Sequence, residues 1–165
     1  MKKLIFVRHG RAEELTEFIS DFERSLTDKG KNATRIMAGR LKEIESNPGV
    51  IITSPAFRAL ETALIFAREY DIDPEKVILK SDLYDNLNLN TLADILSEIP
   101  QETKTLMLFG HNPSFTEIAD RLSKGGCDFL PKSGVAGISF RSKTWKEVIR
   151  EKGKKLYFLK PEKTI

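Results

Sequence analysis

The chain has two histidines, and both directly follow a short apolar run: His9 in Val7-Arg8-His9-Gly10 and His111 in Phe109-Gly110-His111-Asn112-Pro113. If those runs are strands of an open parallel sheet, both imidazoles lie beyond the carboxyl ends of strands, where such sheets bind ligands. A third run ends in Thr53-Ser54-Pro55-Ala56-Phe57-Arg58. Ser54 suits an N-cap and Pro55 the first helical position, which puts Arg58 in the first turn, where the helix dipole disfavours a cation unless an anion joins it. Asn112-Pro113 repeats that arrangement, so His111 precedes a second helix N-terminus suited to an anion. Together with Arg8 these groups make a pocket that holds a tetrahedral oxyanion by charge, because arginine forks match phosphate oxygens and stay ionised. No Walker-type glycine loop and no acidic metal cluster accompanies them in the sequence, and phosphate is the natural guest. Taken singly, each residue also admits a structural role: a hydrogen-bonded histidine, an arginine lying over its helix, and Ser54, Pro55, Asn112 and Pro113 as caps alone.

The elements that must position these groups show in the hydrophobic pattern. Runs at 4–7, 50–53, 77–79, 105–109 and 135–140 are apolar throughout, as strands buried on both faces are. Between them, Ala33, Ile36, Met37, Leu41 and Ile44 keep one helical face, and Ala56, Leu60, Ala63, Leu64 and Ala67 a second. Leu92, Ile95, Leu96 and Ile99 keep a third, and Phe115, Ile118, Ala119 and Leu122 a fourth. Strands alternating with helices predict an α/β fold, a three-layer sandwich with a mostly parallel central sheet flanked by helices. Lys155-Leu156-Tyr157-Phe158-Leu159-Lys160 reads as a final edge strand stopped by Pro161, and a helix is expected around Trp145, with Val148 and Ile149 as packing. Asn47-Pro48-Gly49 is a tight turn, and the irregular stretch 81–91 follows a strand, so it belongs near the site.

Composition narrows the function classes. The 165 residues fit one domain, 1–165, and 40% hydrophobic residues supply a single core. Charged residues make up 31% but are mixed in sign and leave a formal net charge of +3, which favours an anionic substrate and gives no support for nucleic-acid or membrane binding. Four apolar residues after Lys3 fall short of a signal-peptide core or a membrane span, so a cytoplasmic protein is expected. The single cysteine, Cys127, excludes an internal disulfide, and it shares no zinc spacing with the two histidines, so neither a metal nor another cofactor is expected.

Four motifs in order resemble the histidine phosphatase superfamily, the fold group that contains the phosphoglycerate mutases. They are Arg8-His9-Gly10, Arg24-Ser25-Leu26-Thr27-Asp28-Lys29-Gly30, Ser54-Pro55-Ala56-Phe57-Arg58-Ala59-Leu60-Glu61-Thr62-Ala63 and Gly110-His111-Asn112-Pro113. The short chain and Ser133-Gly134-Val135-Ala136 resemble the small phosphohistidine phosphatase branch called SixA. The resemblance implies a metal-independent phosphatase with His9 as nucleophile and Arg8, Arg58 and His111 clamping the phosphoryl oxygens, Gly10 and Asn112 adding to the phosphate site. His9 must be neutral to attack, with its other ring nitrogen bonded to a backbone carbonyl near Gly10, and His111 is expected to work as a cation favoured by bound phosphate. Asp85, in Leu83-Tyr84-Asp85, lies about where a Leu-x-Glu acid stands in the mutases; as a loop aspartate it also suits a turn. Arg24 could reach the pocket mouth, although Leu26 as core, Thr27 or Asp28 as N-cap and Gly30 as a packing position also account for its motif. The expected substrate is a phosphohistidine-bearing protein; the alternatives are a small-molecule phosphomonoester and a catalytically silent module that binds phosphorylated partners.

Overall fold

The computed structural model describes residues 1–85 and 87–162. Six strands form one sheet: β1 (Lys2–Arg8), β2 (Val50–Thr53), β3 (Ile78–Leu79), β4 (Thr105–Gly110), β5 (Val135–Phe140) and β6 (Lys154–Leu159), in the order β3-β2-β4-β1-β5-β6. Five helices accompany them: α1 (Asp28–Ile44), α2 (Phe57–Glu69), α3 (Leu89–Ser97), α4 (Ser114–Leu122) and α5 (Trp145–Val148). Alternate residues of β1 face opposite layers, as the period of a strand requires. Leu4 and Phe6 join the core under α3, α4 and α5, with Leu92, Leu96, Phe115, Leu122 and Trp145. Ile5 and Val7 join the other core, under α1 and α2, with Met37, Leu41, Ala63 and Phe66. A strand buried on both sides explains the uninterrupted apolar runs, and the result is the expected three-layer sandwich.

The sheet is mostly parallel, as expected, and the exception is β5, which runs antiparallel to both β1 and β6. The reason lies in the loop 123–134. It returns to the carboxyl end of β1 before β5 begins, with Ser133 N–H donating to the Arg8 and His9 carbonyls (both 3.1 Å) and Arg8 N–H donating to the Gly134 carbonyl (3.1 Å). The same loop thereby fastens the backbone that carries His9. β3 is a two-residue exposed edge strand, with Ile78 and Leu79 at 41% and 52% exposure, in place of the buried strand expected at 77–79.

On α1 the buried positions are Gly30, Thr34, Met37, Ala38 and Leu41, and Ile36 and Ile44 are exposed. Thr27 caps this helix by accepting from Gly30 N–H (3.0 Å), Leu26 is core, and a Cβ on Gly30 would lie 2.1 Å from the Arg11 carbonyl oxygen. Both predicted caps shift along the chain. α2 starts at Phe57 with Ala56 at the cap position, and Ser54 Oγ accepts from Ala56 N–H (3.2 Å); α4 starts at Ser114 after Pro113. Arg58 is still the second residue of its helix. The expected helix at Trp145 is present as a four-residue helix, and so is the edge strand before Pro161. Among the described residues, no helix is long and apolar enough to cross a membrane.

Candidate active site

β1 and β4 are parallel neighbours, with Arg8 opposite Gly110, so the residues that follow them are delivered to the same sheet edge. The His9 and His111 rings stand there with centroids 5.1 Å apart. Both side chains are buried, at 7% and 8% exposure, and Arg58 reaches the same cluster from α2 at 6%.

His9 Nδ1 lies 2.7 Å from the Gly10 carbonyl oxygen. A carbonyl only accepts, so Nδ1 carries the proton and Nε2 presents its lone pair. Gly10 N–H donates to Thr62 Oγ1 (3.0 Å), and Thr62 hydroxyl donates to the Arg58 carbonyl (2.7 Å), so α2 fixes this segment. A Cβ on Gly10 would come within 2.6 Å of Thr34 Oγ1 and 3.0 Å of Ser133 Oγ. The N–H and carbonyl of Gly10 are thus both engaged within the fold, where they hold the segment that carries His9. Asn112 is likewise committed within the fold, its Nδ2 donating to the Leu130 carbonyl (2.8 Å) and its Oδ1 accepting from Thr116 N–H (3.2 Å) and Thr116 hydroxyl (2.9 Å).

Burial pushes the His9 pKa down to about 3, with His111, Arg58 and Arg8 adding to the effect against the Gly10 hydrogen bond. Burial, followed by Arg58, pushes His111 down to about 4. Both imidazoles are thus neutral near pH 7 when no anion is bound. The cation expected of His111 belongs to the anion-bound site: burial first, and then the surrounding arginines, oppose its charge until an anion compensates them.

Arg8, Arg58 and His111 share a second feature. Arg8 Nε, Arg58 Nε and His111 Nδ1 are buried and have no hydrogen-bond partner among the described residues. Buried polar atoms normally find partners, and these three belong to one cluster around His9. His111 Nε2 is occupied, 2.8 Å from Ser54 Oγ.

Asp21 is the residue that sequence reasoning missed. Its Oδ2 accepts from Arg58 Nη2 (3.0 Å) and Tyr84 hydroxyl (2.8 Å), its Oδ1 from Arg24 Nη2 (2.8 Å) and Nε (3.1 Å), and its carbonyl from Arg58 Nη1 (2.7 Å). Partial burial raises this carboxyl, but the hydrogen bonds from Tyr84, Arg24 and Arg58 outweigh it and hold the group well below the usual carboxylate range. Arg24 therefore meets the site through Asp21. The signal available in the sequence was the three-residue spacing of Asp21 and Arg24. Tyr84 stands edge-on to His111 at 5.4 Å and to Phe22 at 5.3 Å, while Phe129 lies 5.5 Å from the Arg8 guanidinium and is 66% exposed. Asp85 is exposed, and its side chain has no hydrogen bond among the described residues; Asn86, beside it, lies outside them. Cys127 is half-buried and burial raises its thiol pKa. No group of three or more His, Cys, Asp or Glu among the described residues is arranged to hold a metal ion.

Residues 4–124 match the Histidine phosphatase superfamily (branch 1). The chain belongs to that superfamily. An uncharacterized protein of Picosynechococcus sp. is 31% identical over 141 residues, covering 82% of this chain and 84% of its own. Among solved structures, the protein histidine phosphatase SixA complexed with tungstate superimposes with a TM-score of 0.81 at 19% identity, over 96% of this chain and 97% of that one. Phosphoserine phosphatase of Entamoeba histolytica, in complex with 3-phosphoglyceric acid, matches with a TM-score of 0.66 at 18% identity, over 98% of each chain. The fold is the phosphoglycerate mutase-like one expected from the motifs, and the family that the chain matches is a phosphatase family.

Proposed function

We propose that this phosphatase works through a covalent phosphohistidine on His9 and that its substrate is a phosphohistidine-bearing protein. The observation that carries this reading is the cluster of His111, Arg58 and Arg8 around His9, whose Nε2 bears a lone pair, with a buried nitrogen of each of those three residues left without a partner among the described residues. Such donors match the equatorial oxygens of a phosphoryl group in flight. In the first step Nε2 attacks phosphorus in line and the bond to the leaving nitrogen breaks. The ring becomes positive as the new bond forms, and the Gly10 carbonyl, already accepting from Nδ1, stabilises that charge. Water then attacks phosphorus, the bond to Nε2 breaks, and neutral His9 and inorganic phosphate result. An anion on the clamp offsets the repulsion from the arginines and draws a proton to His111.

Two observations favour a phosphoramidate over an alkyl phosphate. Asp21 is held ionised by its hydrogen bonds, so it has no proton to give a leaving alkoxide near neutral pH. Asp85, the other candidate acid, is exposed and unpaired among the described residues. A departing imidazole nitrogen needs less help. The fold shared with SixA supports the same substrate. A small-molecule phosphomonoester is the second reading, favoured by the match to phosphoserine phosphatase.

The test uses a phosphohistidine protein and a panel of sugar and glycerate phosphates, in the presence of a chelator, with parent and His9→Ala. The parent is expected to release phosphate fastest from phosphohistidine and to carry acid-labile label on His9 when turnover is quenched. Undiminished turnover by His9→Ala would remove His9 as the nucleophile, and faster turnover of a small phosphomonoester would favour the second reading.

A further inference from the structure

We propose that Ser54 is a positioning residue that sets the tautomer of His111, so that neutral His111 presents an N–H at Nδ1 to the phosphoryl group. The inference rests on the reading of His111 as part of the phosphoryl clamp. Ser54 is fully buried at the end of β2, its Oγ 2.8 Å from His111 Nε2 and 3.2 Å from Ala56 N. The backbone N–H of Ala56 can only donate, so it takes one lone pair of the hydroxyl oxygen. Two arrangements remain. If Nε2 carried the proton, it would donate to the second lone pair, and the Ser54 hydroxyl hydrogen would have no acceptor among the described residues. Nδ1, itself buried and unpartnered, would then offer a lone pair to an incoming anion. If Ser54 donates to Nε2 instead, the hydroxyl is fully satisfied and the ring proton moves to Nδ1. Burial makes the first arrangement costly and the second the stable one.

The outcome is a directed chain: Ala56 N–H to Ser54 Oγ, Ser54 hydroxyl to His111 Nε2, and His111 Nδ1–H to the phosphoryl oxygen. Each link polarises the next, and the chain begins at the N-terminal amides of α2, the positive end of that helix. It gives the clamp a donor before any proton arrives. That matters because burial, and then Arg58 from α2, Arg8 from β1 and Arg24 from the loop before α1, oppose a charge on His111, while Asp21 favours it. His9 and Tyr84 complete the ring's surroundings. Once an anion binds and His111 takes a second proton, the hydroxyl rotates to accept from Nε2, and both states keep the same heavy-atom positions.

The chain holds two histidines, so imidazole nitrogen-15 spectra of the labelled protein, without substrate, contain two ring systems, and His9→Ala identifies the one from His111. At pH 7, His111 is expected as the Nδ1–H tautomer in the parent and in Ser54→Thr, which keeps the hydroxyl. Ser54→Ala is expected to shift His111 toward Nε2–H while leaving the His9 signal in place, and to lower kcat/KM on the order of tenfold; Ser54→Thr restores most of it. A parent His111 in the Nε2–H form overturns the proposal even if Ser54→Ala fails to fold, and so does an unchanged tautomer with unchanged kcat/KM in that variant. The tautomer is read without turnover, so loss of the phosphohistidine reading leaves this result separately visible, and the reverse holds as well.

Discussion

Asp21 and Arg58 are joined twice: Arg58 Nη2 donates to Asp21 Oδ2 at 3.0 Å, and Arg58 Nη1 to the Asp21 carbonyl at 2.7 Å. The two bonds use one N–H of each terminal nitrogen on the Asp21 side and leave the second N–H of each, together with the buried and unpartnered Nε, for other partners. Because Arg24 and Tyr84 bind the same carboxylate, Asp21 fixes the orientation of one side of the pocket while subtracting from its positive charge. Asp21→Asn is therefore expected to separate two effects. The rate constant kcat should fall on the order of tenfold as Arg58 loses its orientation, and inorganic phosphate should bind a few-fold more tightly as the competing charge disappears. Steady-state kinetics with phosphate as product inhibitor measures both, and a parallel loss of kcat and phosphate affinity would contradict the assignment.

Gly10 makes a packing prediction. An added Cβ would meet Thr34 Oγ1 at 2.6 Å and Ser133 Oγ at 3.0 Å, and Ser133 is itself held in the left-handed region with φ 61°. Gly10→Ala is expected to cost about 1–3 kcal/mol of stability through overpacking and to displace His9. Removing the nearer obstacle with Thr34→Ala should recover part of both, so the double variant is expected to be more active than Gly10→Ala alone. Denaturant unfolding and phosphatase assays on the four proteins of the cycle supply the coupling.

These two sites mark the boundary of what the sequence shows. Arg8, His9, Arg58 and His111 were legible because each sits at a strand end or in a first helical turn, and the sheet order then decides that β1 and β4 are neighbours. Asp21 was hidden because residues 11–27 connect two elements without helix or strand periodicity apart from a 3-10 turn at Asp21–Glu23, and its bonds to Arg58 and Tyr84 come from distant parts of the chain that no spacing reveals. Gly10 and Asn112 lay at the right place for phosphate, but their polar groups had nearer partners in Thr62, Leu130 and Thr116 that no spacing reveals. On α1 the apolar pattern pointed to Ile36 and Ile44, while the buried face runs through Gly30 and Thr34, small residues whose burial hydropathy does not announce. The reversed direction of β5 left no trace either, since an apolar run reads the same both ways.

Asp85 gives a prediction of indifference. Its exposed side chain has no hydrogen bond among the described residues, and the phosphoramidate reading needs no strong acid. Asp85→Asn is expected to leave phosphohistidine turnover within about twofold of the parent, the range of an ordinary surface substitution. A loss of tenfold or more, measured as kcat/KM at pH 7, would return Asp85 to the role of acid.

The two buried imidazoles also set an acid limit on stability. Their ordinary pKa of 6.5 falls to about 3 for His9 and about 4 for His111 in the fold, so above pH 6.5 both states bind the same number of protons at these sites and neither histidine affects unfolding. Below pH 6.5 the unfolded chain takes up protons that the folded chain refuses, and stability falls as pH falls, by ~1.4 kcal/mol per pH unit for each histidine. The loss continues to about pH 4 for His111 and about pH 3 for His9. Asp21 acts in a separate window: its folded pKa is depressed, so the stability it contributes is present above its ordinary value of 3.8 and is lost only below it. Between pH 6.5 and pH 5 the expected decline is therefore that of the histidines, about 3 kcal/mol in all. His111→Gln should roughly halve the slope, and saturating inorganic phosphate should flatten it, because an anion on the clamp lets the folded protein accept the His111 proton. Chemical denaturation across this range measures the slope, and a stability that stays level from pH 7 to pH 5 would mean that the imidazoles titrate normally in the folded protein.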